Sequence, residues 1–289
     1  MTANDLYAQT TARIVEALEG GGLPIWRKPW DAGGGFLPLR HTGEPYRGCN
    51  TFILAIEAMA KGYSSPFWLT FNQAKAFRGT VRKGEKSTAI LFCQPYHKKT
   101  TAEDGAEAEA SYWLSRTYRV FCADQVDGLP ERFHPKPTAR LDDSERIAHA
   151  DSFIANTKAT ILTGAGAFYS PATDNITLPP FESFESPEAY AATALHEISH
   201  WTGAPHRLNR DLSGFKDKEK YATEEIIAEL ASVLTCAALD IELPDLGQHA
   251  AYLGHWIQAM KADPKYLFTA ASKAQAAADY LFALQPSPA

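Results

Sequence analysis

The chain has 289 residues, 45% hydrophobic and 21% charged, which is enough to bury one large or two ordinary domains and excludes a small fold held by disulfides alone. The net charge of −6 conceals an asymmetry. Residues 1–100 carry 13 Lys and Arg against 7 Asp and Glu, whereas residues 101–289 carry 15 against 27. A basic first part and an acidic second part indicate different partners.

The four cysteines form no Cys-x-x-Cys pair, which is typical of a protein from a reducing compartment. The first residues lack a basic run followed by an apolar stretch, so no signal peptide is predicted. No segment approaches the ~18 apolar residues of a membrane span. We therefore expect a cytoplasmic protein with no membrane partner.

Apolar spacing predicts helices and strands in the first part of the chain, with helices over residues 4–19 and 50–61 and strands over 87–94 and 112–122. The small, polar and acidic residues 98–110 are predicted to form a hairpin loop between these strands. We expect Trp68, Phe71, Phe92 and Val120 to fill the core.

Basic and aromatic residues are combined in three short segments. They are Trp26, Arg27, Lys28 and Trp30 in a loop, then Tyr46 and Arg47, then Arg82, Lys83 and Lys86 in a turn. Single-stranded nucleic acids bind to such combinations, because cations contact phosphates while aromatic rings stack on bases. Basic loops beside core tryptophans have the same composition, so the pattern alone leaves both interpretations open.

A segment rich in prolines and charges, residues 126–143, is predicted to be a linker between two α+β domains, residues 1–125 and 144–289. The second domain has a predicted helix at 147–157, strands at 159–162, 167–169 and 175–178, and helices at 187–200, 222–238 and 249–283. The strand at 175–178 is either an edge strand that pairs with an extended peptide or an ordinary core strand.

The motif His196-Glu-Ile-Ser-His200 lies on the predicted helix that begins after Ser186. Residues four apart share a helix face, so both imidazoles can reach one ion. In the HExxH motif two histidines hold Zn²⁺, while the Glu, here Glu197, acts as general base for attack on a peptide carbonyl. This predicts a zinc metallopeptidase with one Zn²⁺ per chain, although Mn²⁺ or Co²⁺ also suits two His and one Glu.

A third protein ligand is expected from the helix that follows. Glu225 and Glu229 are four apart and share a face, while Glu224 is expected to point elsewhere. The order resembles the gluzincin-type arrangement, in which a Glu on a later helix completes the site. This resemblance implies that Glu225 is the ligand and that Glu229 supports a His ligand. The exchanged roles, or a solvated helix face, are the alternatives.

Other residues near the motif offer weaker candidates. His200, Gly203 and His206 have the metzincin spacing HExxHxxGxxH, which would make His206 the third ligand, although a surface loop residue is the alternative. Tyr221 or His255 is a candidate for stabilising an oxyanion.

These segments together resemble the ArdC-type antirestriction proteins of conjugative plasmids and related mobile elements. In the first part the similar blocks are Trp26-Arg-Lys-Pro-Trp30, Tyr46-Arg-Gly-Cys-Asn50, Phe67-Trp-Leu-Thr-Phe-Asn-Gln73 and Val81-Arg-Lys-Gly-Glu-Lys86. In the second part they are Tyr169-Ser-Pro with Asp174 and Leu178-Pro179, Leu195-His-Glu-Ile-Ser-His-Trp-Thr-Gly203, Arg207-Leu-Asn-Arg210 and Tyr221-Ala-Thr-Glu-Glu-Ile-Ile-Ala-Glu-Leu230.

The resemblance implies a mixed α/β domain that binds single-stranded DNA, followed by a zincin-like metallopeptidase domain. It further implies a protein that protects incoming plasmid DNA from host restriction, with host proteins as candidate peptide substrates. Two rival hypotheses are a single-stranded-DNA-binding protein with a structural or vestigial metal site, and a metal-dependent nuclease. The oxygen-rich ligand sets of such nucleases are not evident in the sequence.

Overall fold

The computed structural model describes residues 2–20, 37–101, 107–135, 143–213, 218–241 and 250–286. In the first part of the chain the elements are α1 (Ala3–Glu19), β1 (Leu39–Arg40), α2 (Cys49–Lys61), β2 (Phe67–Leu69), α3 (Phe71–Ala76), β3 (Thr80–Val81), β4 (Thr88–Thr101), β5 (Glu107–Cys122) and β6 (Val126–Asp127). In the second part they are α4 (Asp143–Asn156), β7 (Thr160–Thr163), β8 (Phe168–Ser170), β9 (Asn175–Leu178), α5 (Pro187–Trp201), α6 (Lys218–Ala238), α7 (Ala250–Ala262) and α8 (Tyr266–Ala283).

The first part is built on a sheet with strand order β1-β2-β5-β4. Helix α2 covers this sheet, and Leu54 of the helix packs in one cluster with Trp68 of β2 and Val120 of β5. Asn50 at the start of α2 binds the outer strand β4, donating to Leu91 O at 2.6 Å and accepting from Leu91 N at 2.9 Å. The helix is therefore fixed to both the face and the edge of the sheet.

The predicted β-hairpin is present, and its arms are longer than expected. Strands β4 and β5 stay paired to the register Thr101 with Glu107, so much of the predicted loop 98–110 is strand. The start of the predicted linker is also structured, because β6 pairs with β3 and Phe133 is buried in the cluster that contains Leu69.

The four residues expected to fill the core are only partly buried as a group. Trp68 and Val120 are buried, as predicted. Phe71 and Phe92 do not fill the core, since 58% and 45% of their surfaces are exposed. Phe71 is the first residue of α3, and Phe92 lies on β4 beyond the buried residues Ala89, Ile90 and Leu91.

The second part contains a three-stranded sheet with order β7-β9-β8. The strand at 175–178 is therefore central, and its interpretation as an edge strand is wrong. Strand β9 pairs in parallel with β7 and antiparallel with β8, so it is bonded on both sides. Ile176 and Leu178 point inward and pack with Leu195 and Ile198 of α5. The sheet thus supports the helix that carries the HExxH motif.

One hydrophobic cluster joins the two parts of the chain. It combines Ile14 of α1 and Phe52 of α2 with Ile226 of α6, together with residues of α7 and α8. Polar contacts reinforce it, because Gly48 N donates to Gln275 Oε1 at 2.9 Å and Lys261 Nζ lies 2.6 Å from Glu19 Oε1. The first two helices therefore share one core with α6, the helix that carries the acidic residues of the candidate site, and their own main contacts in the second part are with α7 and α8.

Among the residues that the structure describes, no helix combines the length and the apolar character that crossing a membrane requires.

Candidate metal centre

Two packed helices, α5 and α6, supply the side chains of the candidate metal centre. Helix α5 begins as predicted, because the Ser186 hydroxyl accepts from Ala189 N at 3.1 Å and Pro187 occupies the first turn. The apolar face of α5 packs on the sheet, while its other side faces α6, where Ser232 Oγ donates to Ala192 O at 3.4 Å. This packing places the HExxH residues against the acidic residues of α6.

The two histidines converge on one carboxylate. His196 Nε2 lies 3.6 Å from Glu225 Oε2, and His200 Nε2 lies 3.5 Å from Glu225 Oε1. The three residues each offer a ligand atom, and these atoms all lie within 4.8 Å of one another. Two imidazoles and one carboxylate at such separations form a donor set that suits a divalent ion with a further position left for water or substrate.

At this site, neighbouring charged groups affect the pKa values of Glu225 and His200 more than burial does. Burial disfavours the charged carboxylate of Glu225, yet its contacts with His196 and His200 hold the pKa of Glu225 well below its ordinary value. Burial likewise disfavours a charged imidazole, yet Glu224 and Glu225 raise the pKa of His200 to about 10. A proton on His200 therefore competes with a metal ion for the same nitrogen.

Each histidine also has a carboxylate behind it. His196 Nδ1 lies 3.7 Å from Oε2 of Glu229, which is buried. His200 Nδ1 lies 3.2 Å from Glu224 Oε1. The expectation that Glu224 points away from the site is therefore wrong. Carboxylates in this position fix the ring orientation and tautomer of a ligating His.

A buried arginine holds Glu224 in place. Arg210 donates to Glu224 Oε1 at 2.7 Å from Nη2 and to Oε2 at 3.0 Å from Nε. The same guanidinium donates to Ser199 O and Thr202 Oγ1 at the end of α5. Gly203 makes room for it, since a Cβ there would lie 2.9 Å from Arg210 Nη2. Arg210 thus connects the end of α5 to Glu224 on α6.

The loop after α5 is tied to the sheet by a second arginine. Arg207 stacks 3.8 Å from the centroid of Trp201 and donates to Asp174 Oδ2 at 3.1 Å. Asp174 also accepts from the Tyr169 hydroxyl at 2.8 Å. His206 lies 3.3 Å from Asp174 and outside the cluster of candidate ligand atoms in the described part of the chain. His206 is also exposed, which favours the surface-loop alternative over the metzincin-like role.

The remaining candidates of the C-terminal part have different surroundings. Glu197 is buried on α5 next to His196, as the motif requires for a base beside the ion. Tyr221 lies beside Glu225, and burial together with that carboxylate raises the pKa of its hydroxyl well above the ordinary value. His255 lies on α7 and is half-buried.

The basic residues proposed to contact DNA have mixed surroundings. Lys83 and Lys86 are exposed on the turn before β4. Arg82 on the same turn lies 2.9 Å from Glu85 and 3.5 Å from Asp127, so acidic groups partly neutralise its charge. Four further candidates, Trp26, Arg27, Lys28 and Trp30, lie outside the described residues.

The segment at residues 46 and 47 contacts other parts of the protein. The Tyr46 hydroxyl donates to Trp68 O at 3.4 Å, and burial raises the pKa of Tyr46 to about 12. Arg47 forms an ion pair with Asp279 of α8. Arg47 thus lies where the two parts of the chain meet.

Comparisons with known proteins agree with this architecture. Residues 148–273 match the zincin-like metallopeptidase family MPTase-PolyVal, and residues 4–121 match the N-terminal domain of anti-restriction factor ArdC. The metal-free crystal structure of the antirestriction protein ArdC from plasmid R388 is similar over 97% of both chains, with 42% identity and a TM-score of 0.80. The present chain belongs to the ArdC family of antirestriction proteins.

Further similar proteins include a metal-bound structure and relatives of different length. The Mn(II)-bound structure of R388 ArdC matches with a TM-score of 0.78 and 40% identity, over 96% of this chain and 97% of that chain. The uncharacterized protein y4eC of Sinorhizobium fredii is 37% identical over 297 residues, covering 98% of this chain and 94% of that protein. DNA primase TraC of Escherichia coli is 39% identical over 299 residues, yet the chain spans only 27% of its length. The zincin-like fold and the Mn(II)-bound relative indicate a divalent metal site.

Sequence reasoning missed Glu224 and Arg210 at this site. Adjacent helical residues are separated by about 100° around the axis, so Glu224 and Glu225 do not share a face. The long Glu224 side chain nevertheless reaches His200 because Arg210 fixes it from outside the helix. The block Arg207-Leu-Asn-Arg210 could have pointed to Glu224, because an arginine that becomes buried needs a carboxylate partner.

Proposed function

We propose that this protein binds single-stranded DNA and protects incoming plasmid DNA from host restriction, and that it carries a metal-dependent peptidase-like centre. Membership in the ArdC family supports the antirestriction role. The convergence of His196 Nε2 and His200 Nε2 on Glu225 carries the proposal of the metal centre.

The metal ligands in this proposal are His196, His200 and Glu225, with one ion per chain. A donor set of two imidazoles and one carboxylate suits Zn²⁺, and it also suits Mn²⁺ or Co²⁺. We favour Zn²⁺ on ligand type, while the Mn(II)-bound relative supports manganese as an alternative. Glu229 behind His196 and Glu224 behind His200 hold the rings in the orientation that presents both Nε2 atoms.

Peptide hydrolysis is the reaction that these residues support best. A divalent ion in such a site acts as a Lewis acid that polarises the substrate carbonyl. Glu197 is the general base that accepts a proton from the attacking water and passes it to the leaving amine. The substrate would be a host protein, while DNA bound by the first part of the chain is a partner and not the substrate.

The first experiment measures DNA and metal in the same preparations. Binding of fluorescent single-stranded and duplex oligonucleotides of equal length is titrated at several salt concentrations, while metal content is determined by elemental analysis. We expect binding that prefers single strands and weakens with salt, together with about one metal ion per chain. A protein that binds neither oligonucleotide would refute the DNA assignment.

The basic turn supplies a variant for the same titration. A K83A/K86A protein should bind more weakly and lose up to two phosphate contacts, which lowers the salt slope by about 0.7 for each contact. Equal salt slopes for this variant and the wild type would exclude the turn from the interface.

The role of the metal centre is tested by transfer of a plasmid into a restricting recipient. Glu197→Gln retains the shape of the side chain and removes the base. If proteolysis is part of the activity, this variant retains its metal and loses protection. Full protection by Glu197→Gln would instead favour the alternative of a DNA-binding protein with a structural metal site.

A further inference from the structure

An exposed pair of aromatic rings lies on the hairpin formed by β4 and β5. The ring centroids of Phe92 and Tyr118 are 5.7 Å apart with an interplanar angle of 83°, and 45% and 43% of their surfaces are exposed. Large aromatic side chains contribute most to stability when they are buried. Two neighbouring rings left in solvent therefore point to a ligand.

The strand register places both rings on one face of the sheet with an arginine. Phe92 pairs with Arg116, and Ile90 pairs with Tyr118. Because side chains alternate along a strand and paired residues share a face, these four residues lie on the same side. Ile90 is buried under α2, whereas Phe92, Tyr118 and Arg116 are exposed. Beyond the part that α2 covers, this face of the sheet therefore carries two exposed aromatic rings and one exposed arginine.

The charge at this surface favours an anionic ligand with flat groups. On this face Arg116 carries a positive charge, and the other three residues, Ile90, Phe92 and Tyr118, carry no acidic group. A single nucleic acid strand offers phosphates to an arginine and unpaired bases to aromatic faces, and stacking of this kind tolerates any base sequence. A duplex keeps its bases inside the helix and cannot stack on these rings in the same way.

We propose that Phe92 and Tyr118 form a stacking platform for bases of single-stranded DNA, and that Arg116 contacts the adjacent phosphate. This inference rests on the proposed function and adds three binding residues to the basic turn. The platform lies six residues along the chain from Lys86, which corresponds to about 20 Å of extended strand. One DNA strand can therefore contact the basic turn and the platform together.

The test uses the full-length protein with a fluorescent oligothymidylate of 20 nucleotides and a duplex of the same length. F92A/Y118A should weaken single-strand binding roughly 5-fold to 150-fold for each lost stack, because a base–aromatic stack contributes about 1–3 kcal/mol. Phe168→Ala is the matched control, since Phe168 is also an exposed aromatic residue on a strand, in the other part of the chain. The control should bind as the wild type.

Salt dependence separates the two kinds of contact. Arg116→Ala should lower the slope of log K against log salt by about 0.7, while F92A/Y118A should leave that slope unchanged. Phe92→Trp keeps an aromatic face, so it should retain binding and show quenched tryptophan emission when the oligonucleotide is added. This variant keeps the inference testable if the double variant unfolds.

The outcomes distinguish the inference from the proposed function. If the wild type does not bind the oligonucleotide, the proposed DNA binding itself fails. If the wild type binds and F92A/Y118A binds within twofold of it, the platform is refuted while DNA binding stands. A change in sedimentation coefficient on F92A/Y118A, without a change in DNA affinity, would show that the rings are a contact between copies of the chain and would also overturn the inference.

Discussion

Replacing Glu224 by Gln should weaken metal binding, although Glu224 is not itself a proposed metal ligand. The variant keeps the size of the side chain but removes the charge that Arg210 and His200 contact at 2.7 Å and 3.2 Å. Substitution of a group that orients a ligating His typically costs 10–100-fold in metal affinity. We expect a loss of this size for Mn(II) and Zn(II), which corresponds to about 1.4–2.8 kcal/mol.

The assay is competition with a chromophoric chelator, with the melting temperature of the metal-free protein measured in parallel. Asp211→Asn is the matched control, because Asp211 forms an exposed ion pair with Lys220, at 3.0 Å, in the same region. Exposed pairs contribute little, so its metal affinity should change less than twofold. If Glu224→Gln binds metal as the wild type does while its melting temperature falls, Glu224 has a purely structural role and the reasoning is refuted.

Three more predictions follow from the buried contacts. Glu225→Ala should abolish metal binding measured by elemental analysis, whereas Glu229→Ala should only weaken metal binding about 10–100-fold. If Glu229→Ala has the larger effect, Glu229 is the ligand and Glu225 the supporting residue. Ile226→Ala should lower the free energy of unfolding, measured by chemical denaturation, by about 2–5 kcal/mol. Both parts of the chain should still unfold in one transition, and two separate transitions would contradict a shared core. Arg207 holds the pKa of Asp174 below its ordinary value, so the stability that this carboxylate contributes is present above pH 3.8 and is lost as the pH falls through the lowered pKa. The melting temperatures of Asp174→Asn and the wild type should therefore differ near neutral pH and converge in acid; a constant difference would contradict this assignment.

The local part of the site could be predicted from the sequence because it depends on helix geometry alone. His196 and His200 share a face at any position of an α-helix, and Ser186 with Pro187 marks where that helix begins. Glu225 lies on a different helix, and its contact depends on how α5 and α6 pack. Helical spacing made Glu225 and Glu229 the candidates, and only the resemblance to a known arrangement of residues chose between them.

Other features depended on tertiary contacts that periodicity does not encode. Phe92 continues an apolar run, yet it is exposed, whereas Ile90, two residues earlier on the same face, packs in the cluster with Leu54 of α2. Residues 175–178 carry the alternation of a half-buried strand, but that pattern does not reveal the strand's neighbours. The strand became central because β7 pairs with it in parallel while β8 occupies its other side.

The core that α1 and α2 share with α6, α7 and α8 has a consequence for how ArdC-like proteins can be recombined. Phe52 and Ile226 belong to one core cluster that includes residues of both matched families, so a change of volume on one side must be compensated on the other. Hybrids that join the N-terminal region of one relative to the C-terminal region of another would combine core side chains that did not evolve together. The match to TraC includes 96% of this chain, so both regions occur together within the longer protein. The two regions of this chain therefore form one structural unit.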